Sequence, residues 1–299
     1  MDTANDLIPP PWKVASNQLA CQSGARERGT YGSFQHGRLN RKTRVGVKTV
    51  LCGGTEDLKL SSHYSKRFPC ATMAACFRAA KELQILKLLC SNHVVQCFGG
   101  FFLLEDGVLV CKIIMERYPY TLHDYLTKTA YGIYDLERRV QLVGRLCGLL
   151  LFLIRQQVSH SDIKANNILM TQEGVPVLAD FGVACAMGDN VGKDILMDGD
   201  FPVRTKVTSL PYYVHPAART SRATAIVDMH AFTCLFVELL FGSASRIFKE
   251  LAKHRVFRTE EAARSDVAER LPVFIDCADK VLNNGEQFAF ETLKDACGK

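Results

Sequence analysis

The run His160-Ser161-Asp162-Ile163-Lys164-Ala165-Asn166-Asn167 and the triplet Asp180-Phe181-Gly182 hold the residue types of this chain best suited to chemistry. Asp162 and Asn167 stand five residues apart, and Asp162 and Asp180 eighteen. Carboxylate and carboxamide oxygens are hard donors of the kind that hold Mg²⁺. A carboxylate can also accept a hydrogen bond from a hydroxyl and orient it. The Lys164 ammonium can neutralise negative charge that builds during a group transfer. A lone Asp-Phe-Gly would read as a turn, and His160 as a core histidine. Two motifs in one chain, the second entered from the strand-like Val175 to Ala179, make a site the stronger reading.

Upstream, Lys48 is flanked by Val45, Val47 and Val50, which places its stem on a buried strand. From Gln18 to about Val110 short apolar runs alternate with Gly and polar turns, reading as strands. One helix interrupts them, from about Ala71 to Cys90, where Phe77, Ala80, Leu83, Leu86 and Leu88 recur at helical intervals. After Met115 the chain becomes helical, with apolar-periodic segments at Leu136 to Gln157 and Ala225 to Phe241 and strand pieces at Asn167 to Met170 and Val175 to Ala179. Residues 1 to about 18 read as a flexible tail, and Ser245 to Lys299 as several short helices. The expected plan is α+β, with a strand-rich front lobe, a helical rear lobe and a cleft between them.

Bulk composition excludes several alternatives. The chain has 299 residues, 47% apolar and 23% charged, enough for a substantial core. Its net charge of +6 is not concentrated in any long Lys/Arg run, so no nucleic-acid partner is expected. None of the twelve cysteines falls in a C-x-x-C pair, and Cys111, Cys147 and Cys234 lie in apolar runs. That pattern argues for reduced thiols and an intracellular, cytoplasmic or nuclear setting. The N-terminus has no apolar signal region, and the run near Leu146 to Ile154 is half the length of a membrane span.

The central motifs resemble the catalytic and metal-binding loops of the eukaryotic protein kinases, at that family's spacing. The resemblance covers residues 24 to 241 and implies a two-lobed kinase domain over 19–299, divided near residue 115. It implies a serine/threonine kinase using ATP and Mg²⁺, with Mn²⁺ as a substitute, on a protein substrate. Asp162 would orient the hydroxyl, Lys164 would neutralise the γ-phosphoryl, and Asn167 and Asp180 would hold the metal. Val45-Gly46-Val47-Lys48 is similar to the strand with the ATP-anchoring lysine, and Glu82 to its glutamate partner on a helix. Leu86 would then pack towards Phe181 and His160. Gly29-Thr30-Tyr31-Gly32 and Phe34 match part of the glycine-rich loop, although Glu27 occupies its first glycine position. Met115-Glu116-Arg117-Tyr118 resembles the hinge, where adenine would bond backbone groups of Glu116 and Tyr118 with Met115 behind. Thr121 to Leu126 fits the helix after it, and Asp228 would accept backbone N–H bonds from the catalytic loop.

Three departures mark a divergent member, of the kind found among virus-encoded kinases. Besides Glu27, Ser161 replaces the arginine that gathers a phosphorylated loop, so activity is expected without phosphorylation at Thr205, Thr208 or Ser209. Ala217, after Tyr213 to Pro216, replaces the glutamate of the Ala-Pro-Glu signature. Gly188 to Asp200 is acidic and expected to be mobile. The rival readings are an ATP-binding scaffold on the same fold and a small-molecule phosphotransferase. Lys48→Met and Asp180→Ala are expected to abolish transfer and leave the melting temperature nearly unchanged. A monomer is expected.

Overall fold

The computed structural model describes residues 5–22, 27–29, 32–54, 71–128, 136–186 and 225–241. The stretch from Gly188 to Asp200, Thr205, Thr208, Ser209, Tyr213 to Ala217 and everything beyond Phe241 lie outside them. By internal contacts the chain forms two units. Among the described residues, the first holds 5–118 and 180–183, and the second holds 119–179, 184–186 and 225–241.

The first unit is built on an antiparallel sheet in the order β1-β3-β4-β6-β5, with β2 paired to β3. Its strands are β1 (Leu19–Cys21), β2 (Glu27–Gly29), β3 (Gly32–Leu39), β4 (Thr43–Gly54), β5 (Cys97–Glu105) and β6 (Val108–Glu116). Two hairpins turn through consecutive left-handed residues: Asn40 and Arg41 (φ 51 and 61°) in the three-residue loop from 40 to 42, and Asp106 and Gly107 (φ 51 and 78°) in a two-residue loop. Consecutive left-handed residues give the turn twist that matches two right-twisted strands, and Asn and Asp-Gly favour it.

Alternation along β4 separates two faces of the sheet. Val45 and Val47 are fully buried on one face, with Phe101 and Ile114 and the partly buried Val14, Leu19, Leu39, Phe98 and Leu103. Gly46, Lys48 and Val50 lie on the other. Helix α1 (Ala71–Leu88) packs on β4 and β5 and buries Cys76, Ala79, Ala80, Leu83 and Leu86. Leu88, counted in the apolar period, is 58% exposed, and the helix ends with it rather than at Cys90.

The expected flexible tail is docked over its described part. Asn5 brackets Phe102 at the outer edge of β5, donating from Nδ2 to its carbonyl at 3.2 Å and accepting its N–H at 3.0 Å. Val14 N–H donates to the Gly100 carbonyl at 3.1 Å, and Ile8 is 1% exposed. Gly99, at φ 138°, permits this approach because a Cβ there would collide with the Trp12 carbonyl oxygen. Polar side chains and prolines made this segment read as tail, yet they satisfy an edge strand that would otherwise expose its backbone.

The second unit contains β7 (Tyr120–Thr121), α2 (Leu122–Lys128), α3 (Leu136–Arg155), β8 (Val158–Ser159), a 3₁₀ turn (Ala165–Asn167), β9 (Ile168–Met170), β10 (Pro176–Leu178), β11 (Cys185–Ala186) and α4 (Ala225–Phe241). Helices α3 and α4 pack together. Val143, Leu146, Leu149, Leu150 and Leu153 of α3 and Phe232, Leu235 and Phe236 of α4 are fully buried. The chain leaves α3 through Gln157 in the left-handed region (φ 52°) and turns directly into β8. No described helix is long and apolar enough to cross a membrane. The α+β plan, an antiparallel sheet with one long helix followed by a mainly helical unit, is the one expected.

Candidate active site

The candidate residues fall into two sets, one in each unit. In the first unit, cross-strand register puts Phe34 opposite Lys48 and Gly46 opposite Met115, so all four share one face of the sheet. Lys48 Nζ donates to Glu82 Oε1 at 2.6 Å and Oε2 at 2.8 Å, and to Asp180 Oδ1 at 2.7 Å. The side chain of Glu82 is 2% exposed, that of Lys48 16% and that of Asp180 41%. Burial opposes the Lys48 ammonium, but the charges of Glu82 and then Asp180 outweigh it and raise its pKa well above the ordinary lysine value. Burial raises the Glu82 carboxyl against the pull of Lys48. The Phe181 backbone also hydrogen-bonds that carboxyl. Leu86 and Phe181 are both buried.

Asp180 itself has a left-handed backbone (φ 63°), a strained conformation for a non-glycine residue and one often found at functional turns. Of the glycine-rich stretch, Gly29 and Gly32 face each other in the β2–β3 pairing, with Glu27 opposite Phe34. At the other end of the face, Glu116 N–H donates to the Gln96 carbonyl at 2.9 Å, and Tyr118 donates its hydroxyl to Glu116 Oε2 at 2.8 Å. Met115 is 5% exposed.

In the second unit, Lys164 Nζ donates to Asp162 Oδ2 at 2.7 Å. Asn167 Nδ2 donates to the Asp162 carbonyl at 2.8 Å and to Oδ2 at 2.9 Å. That commits the Asn167 amide nitrogen and turns its hard carboxamide oxygen the other way. The half-exposed Asp180 carboxylate of the first unit is a hard oxygen donor too, and each residue taken by itself has the chemistry to ligate a cation such as Mg²⁺. Asp162 N–H donates to His160 Nδ1 at 3.3 Å, which leaves Nε2 as the protonated nitrogen facing the Ala179 carbonyl at 2.9 Å.

The loop is held from below. Asp228, 1% exposed, accepts the N–H of His160 at 2.6 Å and of Ser161 at 2.8 Å. Burial raises its carboxyl above the usual range, against the two N–H bonds. Ser161, left-handed at φ 63°, lies 3.0 Å from the Ser159 hydroxyl and 4.0 Å from Cys185 Sγ. Strand β11 pairs with β8, setting Cys185 opposite Ser159. The chain after Asp180 is therefore tied to the catalytic-type loop by backbone pairing and neutral side chains, where the resembled family uses an arginine.

Sequence reasoning missed Gly46. A Cβ there would meet Phe34 Cζ at 2.5 Å and Cε2 at 2.9 Å, and a glycine inside a valine-rich strand is the available signal for so close an approach.

Comparison with known proteins gives a consistent picture. The family model described as "Protein kinase domain" matches residues 63–285, most of the chain. The probable serine/threonine-protein kinase glkA of Dictyostelium discoideum is 24% identical over 77% of this chain and 41% of its own length. A second probable serine/threonine-protein kinase of that organism is 29% identical over 72% of this chain and 38% of its own. MAP3K epsilon protein kinase 2 of Arabidopsis thaliana is 37% identical over 54% of this chain and 11% of its own. The chain spans less than half the length of each of these relatives.

Proposed function

This chain belongs to the protein kinase family, and on that footing we propose that it transfers the γ-phosphoryl group of ATP to serine or threonine hydroxyls of protein substrates. The observation that carries the proposal is Lys48, its ammonium gripped by Glu82 and Asp180. A lysine held on two carboxylates keeps its charge and its position, which a phosphate-binding cation on a flexible stem needs.

In this reading Lys48 anchors the nucleotide phosphates and Glu82 holds Lys48 in place. Gly29, Gly32 and Phe34 cover the nucleotide, and Met115, Glu116 and Tyr118 receive its base. Asp162 accepts the hydrogen bond of the substrate hydroxyl and orients it for attack. Lys164, tied to Asp162, offsets charge on the transferred group. Asn167 and Asp180 would hold Mg²⁺, or Mn²⁺ in its place, which when bound neutralises phosphate charge. Serine/threonine preference is supported by Lys164 two residues after Asp162 and by the serine/threonine-protein kinases among the relatives. We further propose that residues 19–299 form the kinase domain and that it acts as an intracellular monomer.

The test is transfer from γ-labelled ATP with Mg²⁺ to a basic protein substrate, followed by acid hydrolysis of the product. Label on phosphoserine or phosphothreonine, reduced about 10²-fold or more by Asp162→Asn, is the expected result. Wild-type protein that binds ATP but transfers nothing with either Mg²⁺ or Mn²⁺ is a scaffold. Label found only on phosphotyrosine would overturn the hydroxyl specificity.

A further inference from the structure

The β3–β4 hairpin gathers positive charge that the sequence spreads out. Its register sets Arg38 directly opposite Arg44, with Ala20 of β1 on the other side of Arg38. Residues so opposed hold their Cβ atoms about 5 Å apart, and like charges there are destabilising. The loop between the two adds Arg41 and Lys42, and Arg117 follows Glu116, the partner of Val45, at the same end of the sheet. All of these cations are exposed, and among the described residues none of them makes an ion pair. No Asp or Glu occurs between Asp6 and Glu27 or between Glu27 and Glu56, so β1, β3 and β4 carry no acid. The nearest carboxylate in register, Glu116, accepts the Tyr118 hydroxyl. The hairpin tip is pinned, Asn40 N–H donating to the Gln18 carbonyl at 2.7 Å and Lys42 N–H to the Leu39 carbonyl at 3.1 Å. Arg41, at φ 61°, adopts a conformation that glycine or asparagine takes more readily. Neither the opposed arginines nor an arginine at this φ favours the fold, which points to a use outside it.

We propose that this hairpin is a docking surface for an acidic segment, rich in Asp and Glu, of a protein partner. A guanidinium meets a carboxylate through two parallel hydrogen bonds, and Arg38 and Arg44 offer two such forks side by side. The pinned backbone lowers the ordering cost of binding. Among the described residues the exposed large apolar side chains are Leu51, Leu88, Leu104, Tyr120 and Val175. None belongs to the 38–44 hairpin end, which therefore offers no ring for a nucleic-acid base to stack on and no apolar anchor for a bilayer. Arg44 shares the sheet face of Lys48 but lies four residues from it, about 13 Å along the strand. The patch is thus separate from the Lys48, Glu82 and Asp180 cluster.

The experiment titrates the full chain into a fluorescein-labelled decamer of glutamate and follows anisotropy, with a single-stranded uridine decamer and phosphatidylserine vesicles measured alongside. The peptide should bind, and less tightly as salt is raised. Arg38→Ala/Arg44→Ala should weaken it about tenfold, and Arg41→Ala/Lys42→Ala several-fold. Arg145→Ala/Arg155→Ala, which removes two exposed charges of the second unit, should leave it unchanged. The melting temperature of Arg38→Ala/Arg44→Ala should not fall, because that variant relieves a like-charge pair. An equal loss in the second-unit variant would mean general attraction to a basic protein and would overturn the proposal. Absence of peptide binding, hairpin variants that bind as wild type, or tighter binding of the RNA or the vesicles would do the same. A lowered melting temperature would make the two arginines structural and also overturn it. None of these readouts depends on phosphoryl transfer.

Discussion

The ring of Phe34 stands where a side chain at position 46 would begin. The two residues lie on adjacent strands of the first unit, on the sheet face that carries Lys48, and each is sized to the other. Adding a methyl group to Gly46 must therefore displace the ring, a small-to-large change that costs about 1–3 kcal/mol.

Gly46→Ala should weaken ATP binding about tenfold, since a displaced ring disturbs the covering of the nucleotide. Phe34→Val alone should cost less, and the double variant Gly46→Ala/Phe34→Val should recover most of the affinity. Isothermal titration with Mg-ATP measures all four proteins. Additive losses in the double variant would show that the pair is not coupled.

Lys48→Met should abolish transfer and also destabilise the protein, in contrast to the expectation from sequence alone. Glu82 is 2% exposed, so removing its cation leaves a buried carboxylate without that partner, a loss of about 3–5 kcal/mol. Lys48→Met/Glu82→Leu should regain much of this. Urea unfolding supplies the comparison, and a single variant as stable as wild type would contradict it. Asp180→Ala should lose activity with little change in stability, because its carboxylate is 41% exposed and Lys48 keeps Glu82.

The stability difference between wild type and Lys48→Met should show no loss from Lys48 deprotonation between pH 6 and pH 10. A lysine raised on folding contributes stability that is fully present below its ordinary value of 10.5 and lost only as pH rises through the higher folded value. Both points lie above that window. A difference that shrinks steadily between pH 7 and pH 9 would mean that the folded protein does not hold the proton on Lys48.

Asp228→Ala should destabilise by about 1–3 kcal/mol for each backbone N–H it deserts, those of His160 and Ser161. Asp228→Asn, which keeps one oxygen acceptor, should lose roughly half as much. Amide hydrogen exchange at residues 160–162 reads the effect directly. Unchanged protection there in the alanine variant would remove Asp228 from its supporting role.

Much of the site could be read from sequence because its signals are local. The five-residue interval from Asp162 to Asn167 spans a single turn, so spacing alone brings the two side chains within 2.9 Å. The helix at Ala225–Phe241 announced itself by a mainly apolar composition. What sequence did not reveal depends on distant partners. Asn5 meets Phe102 across 97 residues, and no local pattern marks an asparagine that will pair with a strand edge. The expected stability of the Lys48 variant is revised for a related reason, because its cost depends on the burial of Glu82 and not on Lys48 itself. Gly46 makes sense only once the ring across the hairpin is in view.

The bracket that Asn5 places on Phe102 has a practical consequence for anyone producing this protein. Asparagine is the side chain whose amide can mimic one more residue of a neighbouring strand, giving and taking one hydrogen bond at once. A shortened version starting after Val14 would strip this guard from β5 and leave backbone groups ready to recruit a second copy. Loss of solubility in such a version would then reflect an uncovered border of the sheet, with the catalytic-type residues left intact.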